Sequence, residues 1–480
     1  MCKYFVLIIS LIVVSKFSIS QYNQQGFKII NPEAPSTTYF GYNVSLSSDG
    51  STAVVSCVGG AYVYTKSGSQ WNQEGVKLNG TAFIFNSAAI SGDGNTIIIG
   101  GYGDNNNIGA AWIYIRTQSG WIQQGTKLVG ANSVGTSLQG ISVAISLDGN
   151  TVAVGGEGDN GNIGAVWIFV RNGANWLQQG SKLVGSGFVG SPVYQGRSLS
   201  LSADGNSLAV GGFSDNSGVG ATWIFNRSNG VWMQDGNKLV ASGSIWQSSQ
   251  GIAVSITEDG KIVAIGAPND NYGEGGVWIF TKSATGWVQQ GGKLLGSGSV
   301  GIAYQGRSVS ISSNGNALVI GGDGDSNGIG SAWIFKKNAV QWVQLGEKLT
   351  GTGSVNLSGQ GRGVSISSDA STVLIGGWND NVNIGAAWFY LYELAPILQS
   401  FGPVTAASGT TVIINGTNFN QPVEQVSFGG TPAQSFNVIN SSTISAIVGT
   451  GSTGSIRVKT SMGTGVYQGF IFSSITNIQQ

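Results

Sequence analysis

The sequence contains no histidine among its 480 residues, only two cysteines and eight prolines, and charged residues make up just 9% of it. The lack of histidine excludes Ser-His-Asp and Cys-His catalysis, histidine-ligated zinc and proton transfer by imidazole. The formal net charge is zero and no cluster of basic residues occurs. Binding to nucleic acid or to an acidic membrane through bulk electrostatics therefore has no support.

Long hydrophobic runs are also missing, apart from one near the N-terminus that extends from Tyr4 to Val14. It is shorter than the ~20 residues of a membrane helix. With an early lysine and small residues at Ser18 and Ser20, it predicts a secretory signal peptide over residues 1–20, an uncleaved anchor being the alternative. We therefore expect an extracellular mature chain without a membrane span. Its one remaining cysteine, Cys57, lies in the apolar segment TAVVSCV and should be a buried, inert thiol.

What the sequence has in abundance is glycine, at 78 residues, together with 41% hydrophobic residues and 14 tryptophans. This composition is too hydrophobic for a disordered chain, and glycine destabilises the interior of helices. It favours many short strands joined by tight turns.

An internal repeat organises most of the chain. A turn of the form SxDGN is marked by Asp49, Asp93, Asp148, Asp204, Asp259, Asn314 and Asp369. A GAxWIF segment is marked by Tyr62, Trp112, Trp167, Trp223, Trp278, Trp333 and Trp388. A third segment, WxQxG, is marked by Trp71, Trp121, Trp176, Trp232, Trp287 and Trp342. The first two markers occur seven times and the third only six times.

The segment YNQQGFKI at the start of the mature chain supplies the missing third marker. Tyr22 precedes Asp49 by 27 residues, as Trp121 precedes Asp148. After Trp388, by contrast, no WxQxG follows. A chain that begins with the last element of its repeat and ends without it is typical of a ring in which the first strand completes the last unit.

Each repeat contains four segments with the pattern of strands. In the copy from Gly140 they are ISVAIS, TVAVGG, AVWIFV and NWLQQGSKLVG, with Asp-Gly and Asn-Gly turns of the kind that join hairpins. Four strands repeated seven times predict an all-β fold, a seven-bladed β-propeller over residues 21–394 that is closed by its N-terminal strand. We expect the tryptophans of the repeat to fill the core. The fourth and outermost strand, WxQxGxKL, also carries a lysine in each copy, interpreted as protection of an exposed sheet edge, with a ligand-binding stripe as the alternative: Lys28, Lys77, Lys127, Lys182, Lys238, Lys293 and Lys348.

The repeats resemble FG-GAP repeats of the integrin α-chain propeller type. Phe40-Gly41 matches the FG element, and IGAPND at Ile265 to Asp270 matches the GAP element. The resemblance implies a propeller but no particular function, because propellers serve many functions.

A second domain is predicted over residues 395–473, followed by a polar tail at 474–480. Its short alternating segments indicate an Ig-like β-sandwich without a disulfide. The pieces GTTVIINGTNF, VSFGG and GSIRVKT resemble an IPT/TIG domain. In that family some members bind DNA, and others are spacers in surface receptors and secreted proteins. The signal peptide and the lack of a basic cluster favour the extracellular kind.

Candidate binding residues lie where the long loops of a propeller would gather, on the face opposite the short Asp-Gly turns. We name this surface the long-loop face. Three arginines precede an innermost strand and could hold an anionic ligand near the central channel, or could merely cap the channel mouth: Arg197, Arg307 and Arg362. Aromatic residues outside the repeat pattern could stack on sugars: Tyr102, Phe188, Tyr194, Trp246, Tyr272, Tyr304 and Trp378.

One aspartate recurs in the loop between the second and third strands of the repeats. Integrin-type propellers bind calcium in Asp-rich loops, but those loops join the first and second strands, and one carboxylate is few for a hard cation. We expect these aspartates to build turns, with calcium as the alternative: Asp104, Asp159, Asp215, Asp270, Asp325 and Asp380. No other cofactor is predicted.

The sequence therefore predicts a non-catalytic recognition or adhesion glycoprotein, secreted or peripherally associated with the cell surface, that binds an extracellular protein or glycan on its long-loop face. The glycoprotein prediction rests on Asn-x-Ser/Thr motifs such as those at Asn226 and Asn356. A carbohydrate-active propeller enzyme and a structural matrix component remain as alternatives.

Overall fold

The computed structural model describes residues 21–33, 37–68, 70–79, 87–339, 341–419, 422–460 and 463–474. The predicted signal peptide, and the predicted tail beyond Ser474, lie outside these ranges. The chain divides into two units, one over Tyr22–Leu391 and one that contains the residues from Tyr392 onward. No helix in the described part is long and apolar enough to cross a membrane.

The first unit is built from antiparallel sheets of four strands, some with a short additional strand. The N-terminal strands are β1 (Gln21–Gln24) and β2 (Ile29–Ile30). The sheets that follow contain, in chain order, β3 (Val44–Leu46), β4 (Thr52–Cys57), β5 (Gly60–Ser67), β6 (Gln70–Gln73) and β7 (Leu78–Asn79); β8 (Ser87–Ile90), β9 (Thr96–Gly101), β10 (Ala110–Thr117) and β11 (Gly120–Gln123); β12 (Ser142–Ile145), β13 (Thr151–Gly156), β14 (Ala165–Asn172) and β15 (Asn175–Gln178); β16 (Ser198–Leu201), β17 (Ser207–Gly212), β18 (Ala221–Ser228) and β19 (Val231–Gln234); β20 (Ala253–Ile256), β21 (Ile262–Gly266), β22 (Val277–Ser283) and β23 (Gly286–Gln289); β24 (Ser308–Ile311), β25 (Ala317–Gly322), β26 (Ser331–Lys337) and β27 (Trp342–Gln344); and β28 (Gln360–Ile366), β29 (Thr372–Gly377) and β30 (Ala386–Glu393).

Each sheet has the strand order that the repeat predicts. In the sheet β12-β13-β14-β15 successive strands are neighbours, and the other sheets follow the same order. The first strands of successive sheets lie beside one another, and β28 lies against β3. The arrangement of the sheets is therefore propeller-like, with the first strand of each sheet innermost.

The last sheet is completed from the other end of the chain. Its order is β1-β30-β29-β28, and β2 also pairs with β30. The backbone N–H of Gln25 donates to the carbonyl of Phe389 at 2.8 Å. The pairing of the N-terminal segment with the strand of Trp388 is thus confirmed.

The Asp-Gly turns between first and second strands are held by their own side chains. In the copy at Asp148, one carboxylate oxygen accepts hydrogen bonds from the Ser146 hydroxyl at 2.6 Å and from the Asn150 backbone at 3.0 Å. Gly149 has a φ of 69°, which favours glycine. Backbone hydrogen bonds also join turn to turn, for example from Leu147 to Ala203 at 3.0 Å. These bonds connect neighbouring sheets on the face opposite the long loops.

The repeat tryptophans of the third strands are buried, as predicted. Trp167, Trp223, Trp278, Trp333 and Trp388 are fully enclosed. The ring of Trp167 packs so closely on Gly130 that a Cβ there would lie 2.1 Å from it. The hydrophobic clusters combine side chains of two neighbouring sheets, so each sheet stabilises the next.

Short helical turns occupy the loops between the second and third strands. They are α1 (Asp104–Asn107), α2 (Asp159–Asn162), α3 (Asp215–Gly218), α4 (Asp270–Gly273), α5 (Asp325–Gly328) and α6 (Asp380–Asn383). Each begins with one of the loop aspartates, and its second and third residues have positive φ. In the first sheet of the chain, β4 and β5 are instead joined by a tight turn at Val58 and Gly59.

The second unit is a β-sandwich. Its strands are β31 (Ile397–Gly402), β32 (Thr405–Ala406), β33 (Thr411–Thr417), β34 (Val423–Phe428), β35 (Thr431–Pro432), β36 (Ser435–Asn440), β37 (Thr443–Ile447), β38 (Gly454–Thr460) and β39 (Gly463–Phe472). They form the sheets β31-β33-β37-β36 and β32-β39-β38-β34-β35. A core that includes Phe419, Phe428 and Phe470 fills the space between the sheets. Apolar packing stabilises this unit without a disulfide.

Candidate functional site: an arginine-lined cavity

A cavity of about 460 Å³ opens where the innermost strands begin, at the central channel of the propeller-like unit. All three predicted arginines line it, together with Tyr102. The segments that connect the fourth strand of one sheet to the first strand of the next, here called crossings, also arrive at this end of the innermost strands. The cavity therefore lies on the long-loop face. The prediction that the arginines converge near the central channel is consistent with this geometry.

A buried glutamine positions each arginine. Gln195, two residues before Arg197, is fully buried, and its side chain bonds both backbone groups of Gly185 at 2.6 and 3.0 Å. Gly196 then adopts a φ of 83° beneath the carbonyl of Ala165, where a Cβ would lie 2.6 Å away. Gln305 and Gln360 make equivalent bonds ahead of Arg307 and Arg362. The motif QGR therefore fixes the backbone from which each guanidinium extends into the cavity.

Two carboxylates face the three guanidinium groups. Arg197 Nη1 lies 3.0 Å from Glu157 Oε1. Arg307 Nε and Arg362 Nη1 lie 3.3 and 3.6 Å from the two oxygens of Asp323. Three positive charges against two negative charges leave this cluster with an excess of one. Because a guanidinium has five N–H donors, the cluster can donate further hydrogen bonds to an anion.

Glu157 has an incompletely satisfied carboxylate. Its side chain is buried, and Oε2 has no hydrogen-bond partner among the described residues. Burial raises the pKa of Glu157, and the charge and hydrogen bond of Arg197 only partly offset that effect. A buried oxygen without a hydrogen-bond partner costs free energy.

Tyr42 joins the cluster from the sheet next to Arg362. Arg362 Nη2 donates to its phenolic oxygen, and the guanidinium lies 4.5 Å from the centre of the ring. Burial opposes ionisation of the phenol, but the charges of Arg362, Arg197 and Arg307 together lower its pKa. Burial also raises the pKa of Tyr102. The charges of the three arginines thus favour negative charge at Tyr42, whereas burial dominates at Tyr102.

Several predicted aromatic residues surround the arginines. The ring of Tyr304 lies 5.6 Å from the Arg307 guanidinium, and that of Trp378 lies 6.0 Å from Arg362. Tyr194 stacks on Phe213 at 5.0 Å, and Phe213 in turn contacts Arg197. These rings form walls around the charged cluster.

The remaining predicted aromatic residues lie elsewhere. Trp246 and Tyr272 form a pair of their own, with ring centres 5.6 Å apart. Phe188 packs against the hydrophobic cluster around Trp223. The predicted set therefore divides into a group at the cavity, a separate exposed pair and a packing residue.

Three further residues of the site, Tyr42, Glu157 and Asp323, were not predicted from the sequence. Glu157 and Asp323 directly follow the Gly-Gly that ends their second strands, as do Tyr102 and Trp378. The alignment of the repeats places these four residues at equivalent positions around the central channel. That shared position could have identified the two carboxylates, and Tyr42 occupies in its own repeat the position of the three arginines.

The loop aspartates form ion pairs with the lysines of the repeat. Asp159 lies 2.5 Å from Lys182, Asp270 lies 2.9 Å from Lys293, and Asp325 lies 2.6 Å from Lys348. The same pairing joins Asp104 to Lys127, Asp215 to Lys238 and Asp380 to Lys28. The second oxygen of Asp159 accepts the backbone N–H of Val134 at 2.7 Å. Both oxygens are therefore engaged within the protein.

For six of the seven lysines these pairs correct the interpretation as edge protection, whereas Lys77 pairs with Glu33 at 3.1 Å. Lys182 lies beyond the end of β15, and its ammonium group reaches a fully buried carboxylate. The lysine is thus part of a loop anchor, since it neutralises a charge that would be costly to bury alone. Within the described residues, no cluster of three acidic, cysteine or histidine side chains is arranged to hold a metal ion. The lysine beside each carboxylate weighs against calcium there, which stays a hypothesis.

The buried thiol was also predicted. Cys57 is only 1% exposed, and burial raises its pKa to about 12. A thiol in this state is a poor nucleophile at neutral pH.

Comparison with known proteins identifies the second unit. Residues 396–478 match the family model of the IPT/TIG domain, which confirms that prediction, whereas no FG-GAP family model matches. The search of curated proteins gives no match. Among solved structures, a chain of the crystal structure of the mitotic checkpoint complex is similar at 14% identity, over 82% of this chain and 99% of that chain, with a TM-score of 0.49. A similarity of that level supports no functional conclusion.

Proposed function

We propose that this chain is a secreted recognition or adhesion protein that binds an extracellular protein or glycan through the arginine-lined cavity. In this proposal the first unit is a seven-bladed propeller of the FG-GAP type, and the IPT/TIG domain is a spacer or a second contact. The chain acts without catalysis. The apolar run and small residues of positions 1–20 support secretion.

The observation that carries the proposal is the convergence of Arg197, Arg307 and Arg362 on one cavity. They come from separate repeats, and the equivalent position in two other repeats is isoleucine, at Ile141 and Ile252. The fold therefore does not require arginine there. An excess of guanidinium groups in a concave site is suited to a ligand with a carboxylate, sulfate or phosphate group.

A binding screen with the mature chain tests this proposal. The probes are extracellular proteins and glycans that carry acidic groups, measured by surface plasmon resonance. Arg307→Ile introduces the residue of two other repeats, and Asp323 keeps Arg362 as a partner. Since a charge-assisted hydrogen bond contributes about 1.5–3 kcal/mol, we expect binding to weaken roughly tenfold or more.

The matched control is Lys261→Asn. Lys261 follows an Asp-Gly turn on the opposite face, where other repeats carry asparagine, and its side chain is 67% exposed. This variant removes one positive charge at a distance from the cavity and should leave binding unchanged. Binding that survives the loss of all three arginines, or that depends on the Asp-Gly turn face, would refute the site.

A carbohydrate-active enzyme is the second candidate, favoured by one specific observation. Tyr42 has a lowered pKa and Glu157 a raised one, and such a divergence is what a nucleophile and a general acid require. Turnover of a polysaccharide that is lost in Tyr42→Phe would support this candidate. Binding without turnover would favour the recognition protein.

A further inference from the structure

Trp246 and Tyr272 form an exposed aromatic pair on the long-loop face. The two residues are 65% and 71% exposed, and the ring centres lie 5.6 Å apart at an interplanar angle of 33°. They lie on adjoining segments, since the backbone N–H of Asn271 donates to the carbonyl of Ile245 at 3.2 Å. Two large rings thus share one open surface that faces solvent.

Both residues occupy positions where the backbone disfavours a large side chain. Trp246 has a φ of 68°, and the equivalent residue in other crossings is Gly135, Gly190, Gly301 or Asn356, all with positive φ. Tyr272 has a φ of 59° at the third position of α4. The equivalent residues are Asn106, Gly161, Ser217, Asn327 and Val382. Bulky side chains in this conformation are strained, and such strain concentrates at functional sites.

The folding of the loops does not explain why large side chains occupy two adjoining positions with positive φ. Four equivalent crossings fold with glycine or asparagine at the position of Trp246. Neither ring is buried, so packing does not offset the strain. The exposed pair therefore destabilises the loops without a compensating contribution to the core.

The surroundings of the pair are polar and carry no excess of positive charge. Asp270 and Glu274 both contact Lys293, at 2.9 and 3.0 Å, and Asn271 donates to Glu274 at 3.0 Å. Gln247, next to Trp246, is exposed. Two carboxylates around one ammonium group disfavour an anionic ligand. The open arrangement of two rings also differs from the enclosing aromatic cage that holds a quaternary ammonium ion.

We infer that Trp246 and Tyr272 form a stacking platform for a neutral saccharide, separate from the arginine-lined cavity. The C–H bonds on one face of a pyranose ring carry partial positive charge and are attracted to the negative face of an aromatic ring. The amides of Asn271 and Gln247 are within the same loops to bond the sugar hydroxyl groups. This inference goes beyond the proposed function, and it stands or falls independently of the arginines.

The test uses the residues that other repeats carry at these two positions. Trp246→Gly and Tyr272→Asn remove the rings and relieve the strain, so both variants should fold with an unchanged or higher Tm. Titration of the mature chain with hexasaccharides of glucose, mannose and N-acetylglucosamine, followed by tryptophan fluorescence and calorimetry, should show binding of at least one. We expect each variant to bind that saccharide about tenfold more weakly.

Val382→Asn is the matched control. Val382 has a φ of 59° at the position equivalent to Tyr272 and is exposed, but it has no aromatic ring. This variant relieves the same strain and should leave saccharide binding unchanged, as should Arg307→Ile. The inference is overturned if none of the neutral hexasaccharides binds, if an oligogalacturonate binds more tightly at the pair, if both ring variants retain affinity, or if they lower the Tm.

Discussion

Lys28 forms an ion pair with Asp380, which lies 352 residues later in the chain. In five other repeats the equivalent partners are 23 residues apart, as in Asp159 and Lys182. Gln24 gives a second example of a contact between the two ends of the unit. Its side-chain oxygen accepts the backbone N–H of Thr352 at 2.7 Å, as the side-chain oxygen of Gln178 does for Ala131. The N-terminal segment therefore reproduces the side-chain contacts of a fourth strand as well as its backbone pairing.

Loss of Lys28 should destabilise the closed ring. The Asp380 side chain is only 1% exposed, so Lys28→Met leaves a buried carboxylate without its cation. We expect the free energy of unfolding to fall by about 3 kcal/mol, the lower end of the range for breaking a buried pair. Urea unfolding followed by intrinsic fluorescence measures this loss.

The double variant Lys28→Met/Asp380→Asn is the control for that prediction. Asparagine keeps an oxygen that can accept the Val355 N–H but carries no charge, so most of the lost stability should return. Lys182→Met, within one sheet, should cost a similar amount. A Lys28 variant as stable as the parent chain would contradict the role of this pair in closure.

Deletion of Gln21 to Ile30 tests closure as a whole. It removes β1 and β2 and exposes the edge of β30, which no other described strand covers. The Tm should drop and the transition should broaden, because the last sheet loses its outermost strands. Calorimetry of the deletion variant and the intact mature chain gives the comparison. A transition as sharp and as late as that of the intact chain would contradict closure.

The repeat spacing was sufficient to predict the order of strands and the origin of the last one. The 27-residue spacing to the next Asp-Gly turn aligns Tyr22 with the fourth-strand tryptophans. This alignment predicts that the N-terminal segment pairs as a fourth strand. The spacing also predicts the burial of residues such as Trp223, because an aromatic ring that recurs in the third strand of each repeat must fill the space between sheets. These features depend on periodicity, which a sequence displays directly.

The lysine pairs and the completed cavity were harder to predict. Lys182 was interpreted from its neighbours in the strand, whereas its partner lies in a loop 23 residues earlier. Arg362 meets Tyr42 and Asp323 from two other sheets, and such a convergence depends on the radius of the channel. Contacts between side chains of different repeats cannot be predicted from repeat spacing alone. The constant spacing of 23 residues between a loop aspartate and a lysine was nevertheless visible in the sequence.

Calcium should leave the stability of the chain unchanged. In each loop that carries the aspartate, a lysine ammonium group already neutralises the carboxylate, and a calcium ion would have to displace it. Thermal unfolding with millimolar calcium chloride and with a chelator should give the same Tm. A rise in Tm with calcium that Asp159→Ala abolishes would establish the opposite. Magnesium chloride at equal ionic strength is the salt control.

Cys57 should resist modification in the folded protein. Its pKa of about 12 leaves almost no thiolate at neutral pH, and its side chain is buried. A thiol-reactive reagent such as iodoacetamide should label the native mature chain very slowly and the urea-unfolded chain readily, as mass spectrometry would show. Rapid labelling of the native chain would mean that the strand around Cys57 opens.

The Asp-Gly turns should make stability depend on acid. Burial opposes ionisation of Asp148, but hydrogen bonds from Ser146 and Asn150 outweigh it and lower the pKa, with equivalent bonds at other turns. A carboxyl with a lower pKa in the folded chain stabilises the fold above the pKa of the unfolded chain, about 3.9, and this contribution is lost as the pH falls through the folded value. The same direction holds for Asp49, Asp204, Asp259 and Asp369.

One repeat provides the matched comparison for that acid dependence. Asn314 replaces the aspartate, yet its side-chain oxygen still accepts from Ser312 at 2.9 Å and from the Asn316 backbone at 3.0 Å. Asp148→Asn should therefore keep the turn and lower the Tm only slightly at pH 7. Below pH 4 the difference in Tm between variant and parent should shrink, because the parent loses the contribution of its ionised carboxylate. A difference that grows on acidification would contradict the lowered pKa.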